Sequence, residues 1–469
     1  MAKVGMVSLG CPKNLVDSEV MLGMLARQGY ELTPRAAEAE IIIVNTCAFI
    51  APAQRESIDT ILEMAEYKKS GAAKKLVVAG CLVERYRQEI LKAIPEVDFV
   101  IGTNELERVL EACGEGIAER GFEGIAEPYL YHDLTPRVLA TPSYSAYLKI
   151  AEGCDHPCSF CVIPKMRGKF RSRRFASVVR EAENLVREGV AELTIVGQDT
   201  TSYGEDLGLR DGLALLLERL AQIDAGHETW IRFLYAYPNK VTQRLLDAIA
   251  AHDALVKYID MPLQHASARV LQRMKRGGSG EIFLRLIERI RRSIPGVAIR
   301  TSFIVGFPGE TAADFEELCQ FVQAARFDNM GVFLYSDEDS SGSYALDGKV
   351  DSRTKRNRQR RLMALQRKIA RARGRALVGA EVPALVEGLS AETDLLWQAR
   401  MATQAPEIDG VALINDVEGA APRPGEIRRL RITGSHDYDV VGTLLPPTEA
   451  ATELPPPGLI HIEPLAVRV

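Results

Sequence analysis

The chain has 469 residues, of which 46% are hydrophobic and 26% are charged, and its formal net charge is −5. This composition is ordinary for a soluble globular protein of about two to four domains, and the net charge gives no overall attraction to nucleic acid. No apolar run is long enough to cross a membrane, and the first residues lack the apolar core and cleavage site of a signal peptide. We therefore expect a cytoplasmic protein without membrane contact.

The first segment, residues 1–127, alternates short apolar runs with helical patterns. The runs that predict strands are 4–9, 41–44, 76–79 and 99–101, and the helical patterns between them include 57–67 and 83–94. Short apolar strands that alternate with helices favour a parallel sheet covered on both faces. We expect this segment to be an α/β domain.

A cysteine follows each of the first three predicted strands, at Cys11, Cys47 and Cys81. In open α/β sheets, ligands bind beyond the carboxyl ends of the strands, so three thiols at three consecutive strand ends are expected to converge on one site. Three converging thiolates favour an iron–sulfur cluster. The alternative is three unrelated buried cysteines, because free cysteine is among the most buried residue types.

A linker is predicted over residues 128–145, with Pro136 and Pro142, and a second domain over 146–378. The predicted strands of this domain are 147–150, 193–196, 231–235, 256–259, 299–305 and 332–335. Amphipathic helices lie between them, which predicts an open, partial (βα)6 version of a TIM barrel. In such barrels, the loops that follow the strands carry the chemistry.

The loop after the first of these strands contains Cys154, Cys158 and Cys161, with the spacing C-x3-C-x2-C. A [4Fe–4S] cluster normally takes four thiolates, so three leave one iron open to chelate a small molecule. This motif is the signature of radical S-adenosylmethionine (SAM) enzymes. A zinc site is the alternative, but zinc prefers four ligands in paired knuckles, and His156 lies too close in sequence to complete one. A disulfide framework is disfavoured because this motif holds an odd trio of cysteines and because a reducing compartment is expected.

The C-terminal part of the chain changes from a helical to a strand pattern and then to a Pro-rich tail. Residues 351–378 are helical in pattern and strongly basic, which is typical of a solvated helix face and leaves a ribosomal or RNA contact open. Residues 379–445 contain five short alternating strand patterns, which predict a small β-barrel of the OB type. The tail over 446–469, with Pro455, Pro456 and Pro457, is predicted to be extended.

Together these features resemble the methylthiotransferases, and within them the RimO type, from Lys3 to about Leu445. The runs that carry the resemblance are GCPKNLVDS from Gly10, CVIPKMRG from Cys161, PLQHAS from Pro262 and GFPGET from Gly306. The resemblance implies an α/β multidomain protein: an N-terminal parallel α/β cluster domain, a central radical-SAM barrel and a C-terminal TRAM β-barrel. Enzymes of this type methylthiolate the β-carbon of an aspartate in ribosomal small-subunit protein S-twelve.

The resemblance also implies cofactors and their ligands. Two [4Fe–4S] clusters are expected, an auxiliary one on Cys11, Cys47 and Cys81 and one that cleaves SAM on Cys154, Cys158 and Cys161. Because the clusters and the SAM-derived radical carry the chemistry, no catalytic side chain is predicted. The candidates for the SAM pocket are Phe160 near the adenine, the strand-end residues Gln198, Arg300 and Ser336, and Gly306 and Gly309 for close backbone approach. Each could instead be ordinary barrel structure.

Several other residues are interpreted as structural. His265 is expected to be a satisfied polar residue of its loop, and Cys113 and Cys319 are expected to be inert. The loop over 335–343 begins like the family but lacks its usual continuation, which puts that loop's contacts in doubt.

The expected partners are protein S-twelve, free or in the ribosome, and a one-electron reductant protein, with a contact to rRNA through the basic helix or the TRAM barrel. An acidic TRAM surface would favour the protein partner, and the alternative is that its acids are only solvated: Glu387, Glu392, Asp394, Glu407, Asp409, Asp416 and Glu418. Two alternatives remain. One is a tRNA adenosine methylthiotransferase of the MiaB kind, and the other is a non-catalytic iron–sulfur protein that binds RNA or the ribosome.

Overall fold

The first part of the chain is a parallel sheet covered by helices. A computed structural model describes residues 2–114, 129–224, 226–447 and 466–468. The elements of this part are β1 (Lys3–Leu9), α1 (Pro12–Arg27), β2 (Glu31–Leu32), β3 (Ile41–Thr46), α2 (Ala51–Lys69), β4 (Lys75–Gly80), α3 (Cys81–Ala93), β5 (Phe99–Ile101) and α4 (Val109–Cys113). Strands β1, β3, β4 and β5 are neighbours in that order, and all pair in parallel. Their alternate residues enter two separate hydrophobic cores, which explains the continuous apolar runs.

Helix α1 lies between this sheet and the central barrel and is buried along almost its whole length. Its carboxylates are therefore paired rather than solvated. Asp17 forms ion pairs with Lys149 and Arg167, and Glu19 forms one with Arg137. Buried charges are tolerated only when they are paired in this way, so α1 depends on residues of the next domain.

The central part has the predicted partial barrel. Its elements are β6 (Ser145–Lys149), β7 (Ala151–Glu152), α5 (Ile163–Arg167), β8 (Arg171–Ser172), α6 (Phe175–Arg187), β9 (Glu192–Val196), α7 (Gly212–Leu220), β10 (Trp230–Phe233), α8 (Gln243–Ala251), β11 (Tyr258–Asp260), α9 (Ala268–Arg273), α10 (Gly280–Ser293), β12 (Ala298–Val305), α11 (Ala312–Ala325) and β13 (Asn329–Leu334). Parallel sheets β6-β9-β10 and β11-β12-β13 are joined by a single bridge between Ile231 and Leu255. The helices cover the outside and form one large apolar core with the strands.

The segment predicted as a linker packs closely where it is described, from residue 129 onward. Tyr131, Val138 and Leu139 are buried. Arg137 donates hydrogen bonds to Glu19 of α1 and to Glu181 of α6, so it connects the first part of the chain to the barrel. This segment therefore fixes the position of α1.

The C-terminal part is a long helix followed by a small closed barrel. Its elements are α12 (Ser352–Leu377), β14 (Glu381–Ser390), β15 (Thr393–Met401), β16 (Ala412–Val417), β17 (Ile427–Ser435) and β18 (Val440–Leu444). Asp351 caps α12 by accepting from the backbone N–H groups of Arg353 and Thr354, which satisfies donors that a helix start leaves free. Between residues 378 and 447, five strands close in the order β14-β15-β16-β18-β17, which confirms the predicted barrel.

The small barrel docks on the central one through buried charges. Arg400 pairs with Glu192 of β9, which also pairs with Arg232 of β10 at 2.9 Å. Asp409 lies 3.4 Å from Arg300 of β12. The expectation that the acidic TRAM residues are all available at the surface is therefore wrong for Asp409, whose side chain is 1% exposed, because it is needed to compensate a buried arginine.

The last described residues return to the first sheet. Strand β19 (Ala466–Arg468) pairs in parallel with β1, with Val7 opposite Ala466. The rest of the predicted Pro-rich tail from residue 448, including Pro455 to Pro457, lies outside the described residues. Short 3-10 helices occur at Ala36–Glu38, Leu106–Arg108, Thr200–Ser202, Glu205–Leu207 and Pro238–Lys240. Among the residues that the structure describes, no helix combines the length and apolar character that a membrane crossing requires.

Candidate active site: two cysteine groups across a domain boundary

The first cysteine group lies at the carboxyl edge of the N-terminal sheet. Cys11 precedes α1, Cys47 follows β3 and Cys81 begins α3 directly after β4. Gly10 has a φ of 92°, and a Cβ built on it would lie 2.7 Å from the Cβ of Cys47. Only glycine lets the two strand ends approach this closely, so the backbone itself brings the cysteines together.

The thiols of this group influence each other's ionisation. Burial, together with the neighbouring thiols Cys81 and Cys11, raises the pKa of Cys47 to about 12. Burial also raises the pKa of Cys81 to about 11, although Arg167 opposes it. For Cys11 burial acts in the same direction, but Lys13 and Arg167 outweigh it and lower the pKa. Three thiolates this close to one another require a cationic partner, and an iron–sulfur cluster is one.

The second cysteine group lies in the loop between β7 and α5. Cys154, Cys158 and Cys161 all line a cavity of about 520 Å³, together with His156 and Lys275. Gly153 has a φ of 79°, and a Cβ there would lie 2.1 Å from the carbonyl oxygen of Lys169, so the tight turn before Cys154 requires glycine. Residues 339–342 of the divergent loop form another part of the cavity wall.

A layered group of side chains supports this loop. The ring of His156 stacks on that of Tyr237, with centroids 3.7 Å apart and planes 7° from parallel. His156 Nε2 lies 2.6 Å from Asp199 Oδ2. The guanidinium of Arg276 also lies over the Tyr237 ring, 4.5 Å from its centroid, and its Nη1 lies 3.5 Å from the Cys158 sulfur. His156 thus has a supporting role that its sequence position does not indicate, because Tyr237 and Arg276 are distant in sequence.

Both cysteine groups fit a [4Fe–4S] cluster by the chemistry of their donors. Within the described residues, no three His, Cys, Asp or Glu side chains are grouped as ligands of a single metal ion. A [4Fe–4S] cluster poses a different requirement, because each thiolate binds a different iron. Three thiols with no further protein ligand in their motif leave one iron free in each group.

A buried polar network connects the two groups. Arg167, at the end of α5, interacts electrostatically with Cys81 and Cys11 and pairs with both Asp17 and Glu152. Burial opposes the ionisation of Glu152, but Arg167 and Lys149 lower its pKa to about 2. Glu152 lies two residues before Cys154, so the network extends from the first cysteine group to the start of the loop that carries the second.

None of the six residues predicted for the SAM pocket lines the described cavity. Gln198 donates to Glu152 Oε1 at 2.7 Å, and its own Oε1 is buried with no hydrogen-bond partner among the described residues. Arg300 pairs with Asp260 at 2.9 Å and with Asp409. Phe160 packs against the edge of the barrel core.

The remaining three contact neighbouring chain segments. Ser336 Oγ accepts a hydrogen bond from the backbone N–H of Ala51 at 3.3 Å, so it lies where the N-terminal domain meets the barrel. A Cβ on Gly306 would lie 2.3 Å from Lys355 Cγ, and one on Gly309 would lie 2.9 Å from Arg273 Nε. Both glycines therefore allow another chain segment to approach the backbone closely. In this structure the approaching group is the side chain of Lys355 at Gly306 and that of Arg273 at Gly309.

Three family models match the chain. Residues 3–102 match an uncharacterised protein family, UPF0004, residues 148–322 match the radical SAM superfamily, and residues 378–445 match the TRAM domain. The ribosomal protein uS12 methylthiotransferase RimO of Solibacter usitatus is 72% identical over 99% of both chains. That of Koribacter versatilis is 56% identical over 94% of this chain and 96% of its own. This chain belongs to the RimO family of radical SAM methylthiotransferases.

The membership confirms the predicted RimO resemblance, the fold class and the assignment as a transferase of the radical SAM superfamily. The cofactor prediction, SAM with two [4Fe–4S] clusters, agrees with this family. Among solved structures, the radical SAM methyltransferase TsrM of Kitasatospora setae, with cobalamin and a [4Fe-4S] cluster bound, aligns over 71% of the RimO-family chain and 75% of its own. The TM-score is 0.51 at 17% identity, which shows a shared fold alone.

Proposed function

We propose that this protein transfers a methylthio group to the β-carbon of an aspartate of ribosomal protein uS12, with two [4Fe–4S] clusters and SAM as cofactors. The observation that carries the proposal is the pair of three-cysteine groups joined by the Arg167–Glu152 network across a domain boundary. The names of the relatives supply the substrate. We place the reaction in the cytoplasm, where ribosomes are found.

The cluster ligands in this proposal are the six cysteines at strand ends. Cys154, Cys158 and Cys161 hold the cluster that binds SAM, and Cys11, Cys47 and Cys81 hold the auxiliary cluster. When bound, these cofactors supply an electron for SAM cleavage, a radical that takes hydrogen from carbon, and the sulfur that is transferred. The protein's residues hold the two sites in place and keep water out of the space between them.

Among the predicted SAM-pocket residues, Gln198 has the strongest support. Its buried Oε1 has no partner among the described residues, so it is available to a ligand with a donor group. Phe160, Gly306, Gly309 and Ser336 stay in the proposal as residues of loops that follow barrel strands, and Arg300, the third residue of β12, stays in it on the family resemblance alone. We also retain the proposed divisions at residues 127, 145, 378 and 445.

The proposed partners are uS12, free or in the ribosome, a one-electron reductant protein and, for part of the surface, rRNA. Several arginines of α12 are occupied within the chain: Arg361 pairs with Glu316, and Arg367 and Arg371 both pair with Asp437. The rRNA contact therefore depends on the other basic residues of α12 and on the TRAM barrel.

The function is tested by anaerobic turnover with SAM, a reductant and sulfide, offered either uS12 or tRNA. We expect a methylthio group on the uS12 aspartate by mass spectrometry and none on tRNA. Modification of tRNA alone would support the MiaB-like alternative. SAM cleavage in neither case would support a non-catalytic iron–sulfur protein.

The ligand assignment is tested by iron counting. We expect about eight irons per wild-type chain and about four in each triple Cys→Ala variant, because each group holds one four-iron cluster. The matched control is Cys113→Ala with Cys319→Ala, two cysteines buried in apolar cores, which should keep the full count. A full count in either triple variant would contradict the assignment.

A further inference from the structure

Lys13 is a buried cation beside the first cysteine group. It is the second residue of α1, two positions after Cys11, and its side chain is buried with only 7% of the residue exposed. Its Nζ lies 3.4 Å from the centroid of the Tyr235 ring, at the end of barrel strand β10. The ammonium therefore projects from the N-terminal domain toward the mouth of the central barrel.

The Lys13 ammonium has no carboxylate partner in the part of the chain that the structure describes. The carboxylates around it are bound to other cations. Asp17 is occupied by Lys149 and Arg167, and Asp260 is occupied by Arg300. The titratable groups that act on Lys13 are Tyr235 and the Cys11 thiol, which both favour its charged form, and Arg167, which repels it.

A ring face attracts an ammonium, but it does not replace the water that a buried cation loses. Buried charges in proteins are normally paired. A buried cation that has no carboxylate partner among the described residues is suited to receive an anion from outside. Cys11 and Tyr235, the two groups beside Lys13, are each partly exposed to solvent.

The ring beneath Lys13 is held by a strained backbone. Tyr235 has a φ of 66°, which is unusual for a bulky residue. Its N–H donates to Asp260 Oδ2 at 3.0 Å, and its carbonyl oxygen accepts from the N–H of Thr200 at 3.2 Å. Backbone strain that is held by hydrogen bonds to both the N–H and the carbonyl group of a residue is typical of functional positions, where it sets the orientation of the side chain.

We propose that Lys13 binds the carboxylate of the target aspartate and thereby places the β-carbon of that residue between the two cysteine groups. The inference rests on the proposed function, because it supplies a binding site for the side chain that is modified. Lys13 acts as a point charge on the carboxylate, and Tyr235 forms the floor of the site. Aspartate is thereby distinguished from asparagine, which has the same shape without the charge.

The test compares two uS12-derived peptides, one with the target aspartate and one with asparagine in its place, on wild-type and Lys13→Gln holoenzyme. We expect wild type to prefer the aspartate peptide and Lys13→Gln to lose roughly 10- to 100-fold in binding of that peptide, by fluorescence anisotropy, and little for the asparagine peptide. SAM cleavage should continue in Lys13→Gln but become uncoupled from methylthiolation. Lys13→Arg, which keeps the charge, should retain part of the preference.

Lys92→Gln, at an exposed position of α3, is the control for loss of a lysine and should bind both peptides as wild type does. An unchanged aspartate preference in Lys13→Gln would overturn the inference. The inference would also be overturned if Lys13→Gln differed from wild type only in the midpoint potential of the auxiliary cluster, because Lys13 would then act as a counter-ion of that cluster. If wild type binds and modifies neither peptide while uS12 itself is also unmodified, the proposed function fails instead.

Discussion

His265 illustrates how burial changes one residue's ionisation. Its side chain is fully buried, its Nδ1 accepts a hydrogen bond from the N–H of Ser267 at 3.0 Å, and its Nε2 has no partner among the described residues. The nearest carboxylate oxygen, on Glu310, is 3.9 Å away. Burial lowers the pKa of His265 from 6.5 to about 4, so the ring is neutral in the folded protein. The expectation of a fully satisfied polar residue is therefore wrong at Nε2.

This pKa makes stability dependent on pH. Below pH 6.5 the unfolded chain takes up a proton that folded His265 accepts only near pH 4, so the free energy of unfolding falls as pH falls through this window. The difference between the two pKa values corresponds to roughly 3 kcal/mol. We expect His265→Asn to flatten the pH dependence of the urea midpoint between pH 6.5 and 4. His132→Asn, at an exposed position, should leave the pH dependence of the urea midpoint unchanged. If this dependence were equally steep in both variants, burial of His265 would not be its cause.

At the same scale, the sequence locates the six cysteines but few of their surroundings. Alternating strands and helices place Cys11, Cys47 and Cys81 at strand ends, and the structure has them there. The contact of Lys13 with Tyr235 could not be predicted, because it joins two domains and depends on a left-handed backbone at a tyrosine. Local patterns carry no information on such contacts.

Among the elements, α1 departs most from its sequence pattern. Asp17 and Glu19 suggest a solvated face, yet both are buried. Their partners lie far away in sequence, since Glu19 and Arg137 are 118 positions apart. The strand and helix order of the three domains, in contrast, follows from periodicity over a few residues and was predictable.

Removal of one buried carboxylate from α1 should be costly. Asp17→Ala leaves Lys149 and Arg167 with Glu152 as their remaining carboxylate, and breaking a buried pair typically costs about 3–5 kcal/mol. We expect a correspondingly lower urea midpoint. Glu66→Ala, in an exposed pair with Lys69, is the matched control and should not change it. Equal midpoints for the two variants would mean that α1 is not held by these charges.

In the whole molecule, the TRAM barrel and the central barrel share a buried charge cluster. Arg400 contacts Glu192 and Glu387 and is 2% exposed. We expect Arg400→Met to lower the free energy of unfolding by about 3–5 kcal/mol, because Glu387 loses its cation and Glu192 keeps only Arg232. Urea unfolding monitored by tryptophan fluorescence measures the loss. Arg429→Met, on the exposed side of β17, should unfold like wild type.

The pairing of β19 with β1 has a bearing on how the protein is made. Strand β1 leads directly to Cys11, and the edge of its second half, Val7–Leu9, is covered by residues 466–468, which follow it by more than 400 positions in the chain. While the chain is still emerging, that edge has unpaired backbone groups that could pair with other chains. The sheet that carries Cys11, Cys47 and Cys81 thus reaches the width seen here only after residues 466–468 have been made.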